Sequence, residues 1–128
     1  MASIPDDIRR FIQTSIPSVP YLEAALLFQR SPTASLGPNE VARALYLPKA
    51  RAAALVEDLA DAGIVAPVGA SDAGMYRYDP RDAELARAMQ GVAEAYARAL
   101  VQVASLIHDS TAKNAHRFAA AFRLRKDR

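Results

Sequence analysis

Apolar residues recur along the chain with two different periods. Ile8, Phe11 and Ile12 follow Pro5-Asp6-Asp7 at helical spacing. A short amphipathic helix is predicted there, with proline in its first turn and acids at its N-terminus, where the backbone dipole favours them. Two prolines between Ser15 and Pro20 break it. Tyr21 to Arg30 is apolar and alanine-rich and predicts a second helix, closed by a loop through Ser31-Pro32-Thr33 and Leu36-Gly37-Pro38. A third helix is expected from Pro38 to about Leu45, with Val41, Ala42 and Leu45 on one face. Leu47-Pro48 forces a tight turn. A fourth helix from Pro48 to Ala62 turns Ala52, Leu55, Val56 and Leu59 inward, and Gly63 caps its end.

After Gly63 the pattern becomes extended. Ile64-Val65-Ala66-Pro67-Val68 and Met75-Tyr76-Arg77-Tyr78 are β-prone segments joined by the turn-rich Gly69-Ala70-Ser71-Asp72-Ala73-Gly74, which predicts a hairpin. Pro67 lacks a backbone donor, so its strand belongs at an edge. Beyond Asp79-Pro80 the helical period returns and lasts longest. From Arg81 to about His108 there is no proline and one glycine, Gly91. Leu85, Met89, Val92, Tyr96, Ala99, Val103 and Leu106 form a stripe that Leu100 and Ile107 widen. An uninterrupted helix of that length would span about 40 Å at 1.5 Å per residue. It exceeds what so small a domain covers, so the expectation is a homodimer that buries part of it. Asp109-Ser110-Thr111 can cap a last helix, anchored by Phe118 and Phe122 one turn apart.

The expected fold class is therefore mainly α with a small β-hairpin. Residues 1–18 form an N-terminal helix, 19–80 a helical unit with the hairpin, and 81–128 a dimerisation region. The predicted dimer contacts are Leu85, Met89, Val92, Tyr96, Val103, Phe118 and Phe122.

Composition adds mostly exclusions. The chain has 128 residues, 52% of them apolar and 23% charged, which suits one globular domain. It has no cysteine, so disulfides, thiolate metal sites and cysteine nucleophiles are excluded. His108 and His116 have no acid at ligand spacing. No metal site, cofactor, Gly-rich phosphate loop or nucleophile–base pair is visible, so an enzyme is not expected. The N-terminus has no basic segment followed by an apolar run, and no stretch is apolar enough to span a membrane; a cytoplasmic location is the expectation. Charge is uneven. Residues 1–80 carry seven Lys/Arg against nine Asp/Glu, net −2, while residues 81–128 carry nine against five, net +4. The basic terminus Arg123, Arg125, Lys126 and Arg128 contributes most of that excess.

The most informative string is Asn39-Glu40-Val41-Ala42-Arg43-Ala44-Leu45-Tyr46-Leu47-Pro48-Lys49-Ala50-Arg51, continuing through Leu55, Val56 and Leu59 to Gly63-Ile64-Val65. It resembles the helix-turn-helix of winged-helix regulators, and the whole layout resembles the MarR type. The resemblance implies a recognition helix after the tight turn, with the Gly69–Gly74 loop as wing, and a small-molecule pocket near Tyr76, Tyr78 and Tyr96. It also implies double-stranded DNA as partner, because a projecting helix fits the major groove and its first turns reach base edges. The family's exposed recognition positions fall here on Pro48, Lys49, Arg51, Ala53, Ala54, Glu57 and Asp58. Lys49 and Arg51 are the two able to hold a base edge or phosphate. Arg43 and, on the wing strand, Arg77 complete the predicted DNA contacts. Asp72 sits at the wing tip, where regulators of this kind commonly carry a cation. Two functions are expected in order: a dimeric DNA-binding transcriptional regulator, and, as alternative, a winged-helix module that binds a protein partner through its alanine-rich helix.

Overall fold

The computed structural model describes residues 4–69 and 74–109. Its elements run α1 (Asp6–Ser15), α2 (Val19–Arg30), α3 (Pro38–Leu45), α4 (Lys49–Asp61), β1 (Val65–Pro67), β2 (Tyr76–Tyr78) and α5 (Ala83–Arg98), and residues 100–109 are again helical.

α2 is the centre of the fold. Tyr21, Leu22, Ala24, Ala25, Leu26 and Phe28 are buried on several of its faces, as expected of a helix surrounded by others. Ser18 caps it by accepting the Tyr21 N–H at 3.2 Å, and Pro20 stands in the first turn, where a missing N–H costs nothing. α1 buries Ile8 and Ile12 and lies against α5. α3 starts at Gly37, whose N–H donates to Glu40 Oε1 at 2.8 Å. This is one half of a capping box; glycine has no side chain to supply the other.

α4 ends as its sequence predicts. Ile64 N–H reaches Leu59 C=O and Gly63 N–H reaches Ala60 C=O, each at 3.0 Å, with Gly63 at φ +79°. This is a Schellman closure, and the accompanying apolar contact is provided by Ile64 and Leu59, both buried in the core. α3 ends on a related left-handed turn without a glycine, with the Tyr46 N–H on Ala42 C=O. Tyr46 stands at φ 56°, ψ 46°, and Leu47 N–H reaches back to Ala42 C=O at 3.0 Å. A left-handed tyrosine costs roughly 1–2 kcal/mol where glycine would cost little.

β1 and β2 pair antiparallel, Val65 with Tyr78, Ala66 with Arg77 and Pro67 with Tyr76. On its other side β2 bridges Leu36, with both N–H···O=C bonds at 2.8 Å. Pro67 is thus on an outer strand, where its missing donor breaks no ladder. The order helix, bridge, helix, helix, strand, strand is compatible with a winged-helix layout. The wing tip, including Asp72, lies outside the described residues.

The long helix is where sequence and structure part. α5 begins at Ala83, capped by Asp82 Oδ1 on Leu85 N–H at 2.8 Å, and stops at Arg98. Ala99 takes φ −139°, ψ 54°. Its N–H still donates to Ala95 C=O at 2.7 Å, and its C=O accepts from Val103 N–H at 3.0 Å. One alanine therefore closes one helix and opens the next. Beyond the break Val103 is fully buried and Ile107 nearly so within the core of the same chain. Gly91, in the middle of α5, also has a packing role. A Cβ built there would come within 2.8 Å of Ile8 Cγ1 and closer still to its Cδ1, so the glycine is a notch that receives α1.

Candidate nucleic-acid interface

The site is assembled around the corner between α3 and α4. These helices pack on one another, and α4 rests on α2 and β1 through Ala52, Leu55, Val56 and Leu59. The opposite face of α4 is left to solvent. Helical spacing brings Ala50, Ala54, Glu57 and Asp61 onto one exposed stripe, with Arg51 and Asp58 beside it. Its N-terminal half is small and flanked by cations; its C-terminal half is acidic. Pro48, the residue before α4, gives no side-chain cap, and no acid stands in the first turn. The Arg51 and Ala52 N–H groups turn back onto Pro48 C=O at 3.1 and 3.0 Å, which leaves the Lys49 and Ala50 amides to meet an anion.

Arg43, Lys49 and Arg51 are all exposed around this corner. From Val41 to Val56 there is no Asp or Glu. The one ion pair among the described residues is Arg81 with Asp82 at 3.7 Å, so none of the three cations is paired there. Ala53 is partly covered rather than fully displayed. Arg77 is exposed on the outer face of β2, while Tyr76 and Tyr78 on either side pack against the core. The structure thus gathers Arg43, Lys49 and Arg51 at the corner and places Arg77 on the hairpin.

One residue at this corner is not marked by the hydrophobic pattern. Tyr46 is 94% exposed and is the most exposed of the large apolar side chains among the described residues. The signal it leaves in the sequence is local: an aromatic residue in a tight turn between two helices, where a left-handed position favours glycine or asparagine.

The residues expected at a dimer seam are divided. Met89, Val92 and Val103 are fully buried within the single chain. Leu85 and Tyr96 are partly buried, and Leu100 and Val101 are exposed at 53% and 73%. Phe118 and Phe122, like the basic residues Arg123 to Arg128 and His116, lie outside the described residues.

Of the three tyrosines near which a pocket was expected, Tyr96 borders a cleft. The cleft lies between α2 and α5, measures about 310 Å³ and is also lined by Glu23, Leu26, Gln29 and Arg30. Burial raises the Tyr96 hydroxyl above its ordinary 10.0, and the Glu23 carboxylate raises it further. Burial likewise raises Tyr78, against a hydrogen bond with Gln29 that pulls the other way, and raises Tyr21, which also faces Asp58. Among the described residues no helix is long and apolar enough to cross a membrane, and no group of three or more His, Cys, Asp or Glu is placed to hold a metal ion.

Compared with protein-family models, curated proteins and solved structures, the chain matches none of them.

Proposed function

We propose that this chain is a dimeric DNA-binding transcriptional regulator of winged-helix type, MarR-like in layout. The observation that carries the reading is the corner itself. Arg43, Lys49 and Arg51 are exposed, unpaired among the described residues and free of intervening acids, at the uncapped end of a projecting helix. Phosphate oxygens suit both the cations and the open amides. Ala50 and Ala54 let the helix approach closely, and can meet a thymine methyl but donate nothing. Most of the affinity in this reading is electrostatic, so binding to duplex DNA weakens steeply with salt. Arg77 extends the contact onto the hairpin. The test is titration of labelled duplex fragments with the full chain at low and moderate salt; salt-dependent binding is expected, and no binding to any genomic fragment at low salt would overturn it.

The second reading keeps the fold and changes the partner. The exposed stripe on α4 runs from Ala50 and Ala54 to Glu57 and Asp61. Small residues that end in acids suit close packing against a basic protein helix better than they suit phosphate. Recovery of a stoichiometric protein partner with the native chain, joined to no duplex binding, is the result this alternative expects.

A further inference from the structure

We infer that Tyr46 is a DNA-backbone contact, displayed at the helix-turn-helix corner to hydrogen-bond a phosphate of the duplex that α4 engages. This rests on the DNA-binding reading above and adds to it a residue that neither charge nor helix pattern selects.

The chain ends two helices at a residue with left-handed backbone. At the end of α4 the position holds Gly63, at φ +79°. At the end of α3 it holds Tyr46, the one non-glycine residue with positive φ among the described residues. The bulky side chain gains nothing from burial there, since it is 94% exposed. Packing therefore does not account for a tyrosine at a place where glycine is easier. Strain of this kind points to a contact made outside the chain.

The surroundings select the partner. Arg43 precedes Tyr46 by one helical turn, and Lys49 and Arg51 follow in the first turn of α4, all three exposed. No acid lies between Val41 and Val56. A hydroxyl at the edge of such a cationic patch can donate to a phosphate oxygen that the cations attract, while the ring lies along the sugars. Such contacts set register and orientation on the duplex without reading sequence.

The test uses the full chain in three forms, the parent, Tyr46→Phe and Tyr46→Gly, each measured for thermal stability and for duplex affinity across several unrelated sequences and salt concentrations. Tyr46→Gly is expected to melt at the parent's temperature or above, since it relieves the turn, and to bind duplex roughly tenfold more weakly. Tyr46→Phe is expected to lose a large part of that affinity, equally on every sequence, with the salt dependence unchanged because a hydroxyl displaces no counterion. Parent-like affinity in Tyr46→Gly would overturn the inference and leave the DNA-binding reading standing. Altered self-association with unaltered duplex affinity would overturn it in favour of a protein contact. A parent chain that binds no duplex would overturn both.

Discussion

At the scale of single residues, the notch at Gly91 is the sharpest packing constraint. Alanine is favoured over glycine inside a helix by about 1 kcal/mol, so Gly91→Ala would stabilise an isolated helix. Here the added methyl meets the buried side chain of Ile8, which has to shift within the core to receive it. Overpacking of this kind costs roughly 1–3 kcal/mol. Gly91→Ala is therefore expected to lower the denaturation midpoint, and Ile8→Ala combined with it should cost less than the sum of the two single changes. Strict additivity in that cycle would contradict the contact. The tyrosines give a second expectation. Tyr21, Tyr78 and Tyr96 all have folded-state pKa values above the ordinary 10.0. A raised value means that the folded form holds its proton where the unfolded form loses it. Their contribution is intact below pH 10.0 and is lost as pH rises through the folded values. Stability should be insensitive to these groups at neutral pH and fall under alkaline conditions, with tyrosinate absorbance appearing together with unfolding; full ionisation well before unfolding would refute this. Gly63 was legible from sequence because a helix stop before an apolar strand is a local signal. The role of Gly91 was not, because it depends on Ile8, far away along the chain.

At the scale of elements, most boundaries followed from local chemistry. Pro38, Pro48 and Gly63 punctuate the helices at or next to the positions where the structure starts or stops them, while the caps at Ser18 and Asp82 emerge only in the structure. The hairpin followed from the change of period after Gly63. The break at Ala99 did not. Arg98-Ala99-Leu100 contains no proline, glycine or capping residue, and the stripe from Leu85 to Leu106 continues unbroken in the sequence. Val103 and Ile107, beyond the break, are buried as the stripe predicts, so the period runs on through Ala99 and does not register a change of backbone at one residue. Ala99 also makes a poor opening for residues 100–109, since it has no side-chain acceptor for the free amides of the first turn. Replacing a non-capping residue by Ser or Asn at such a position is worth about 0.5–2 kcal/mol. Ala99→Ser is expected to raise the melting temperature modestly. A rise for Ser and a fall for Leu would mark the break as real in solution; the reverse ranking would indicate a continuous helix.

At the scale of the molecule, the proposed dimer has to be built from less of α5 and residues 100–109 than their sequence offers. Met89, Val92 and Val103 are already covered within one chain, which leaves, among the described residues, Leu85, Tyr96, Leu100 and Val101 for a second copy to meet. Val101→Lys should therefore shift sedimentation equilibrium towards monomer with little loss of fold, because the side chain is 73% exposed. A chain that is monomeric from the start, or a Val101→Lys variant that unfolds, would count against this seam.

The proposed DNA interface stands or falls on the corner between α3 and α4, and its most direct test is the salt dependence of duplex binding by the parent, Lys49→Ala and Arg51→Ala. The parent should bind with an affinity that falls linearly on logarithmic axes as salt rises. Each variant should bind more weakly, with a slope shallower by about 0.9 for every phosphate that its missing cation leaves unneutralised. Parent and variants that share one slope and one affinity would place the DNA interface elsewhere, and absence of binding at low salt would contradict it altogether.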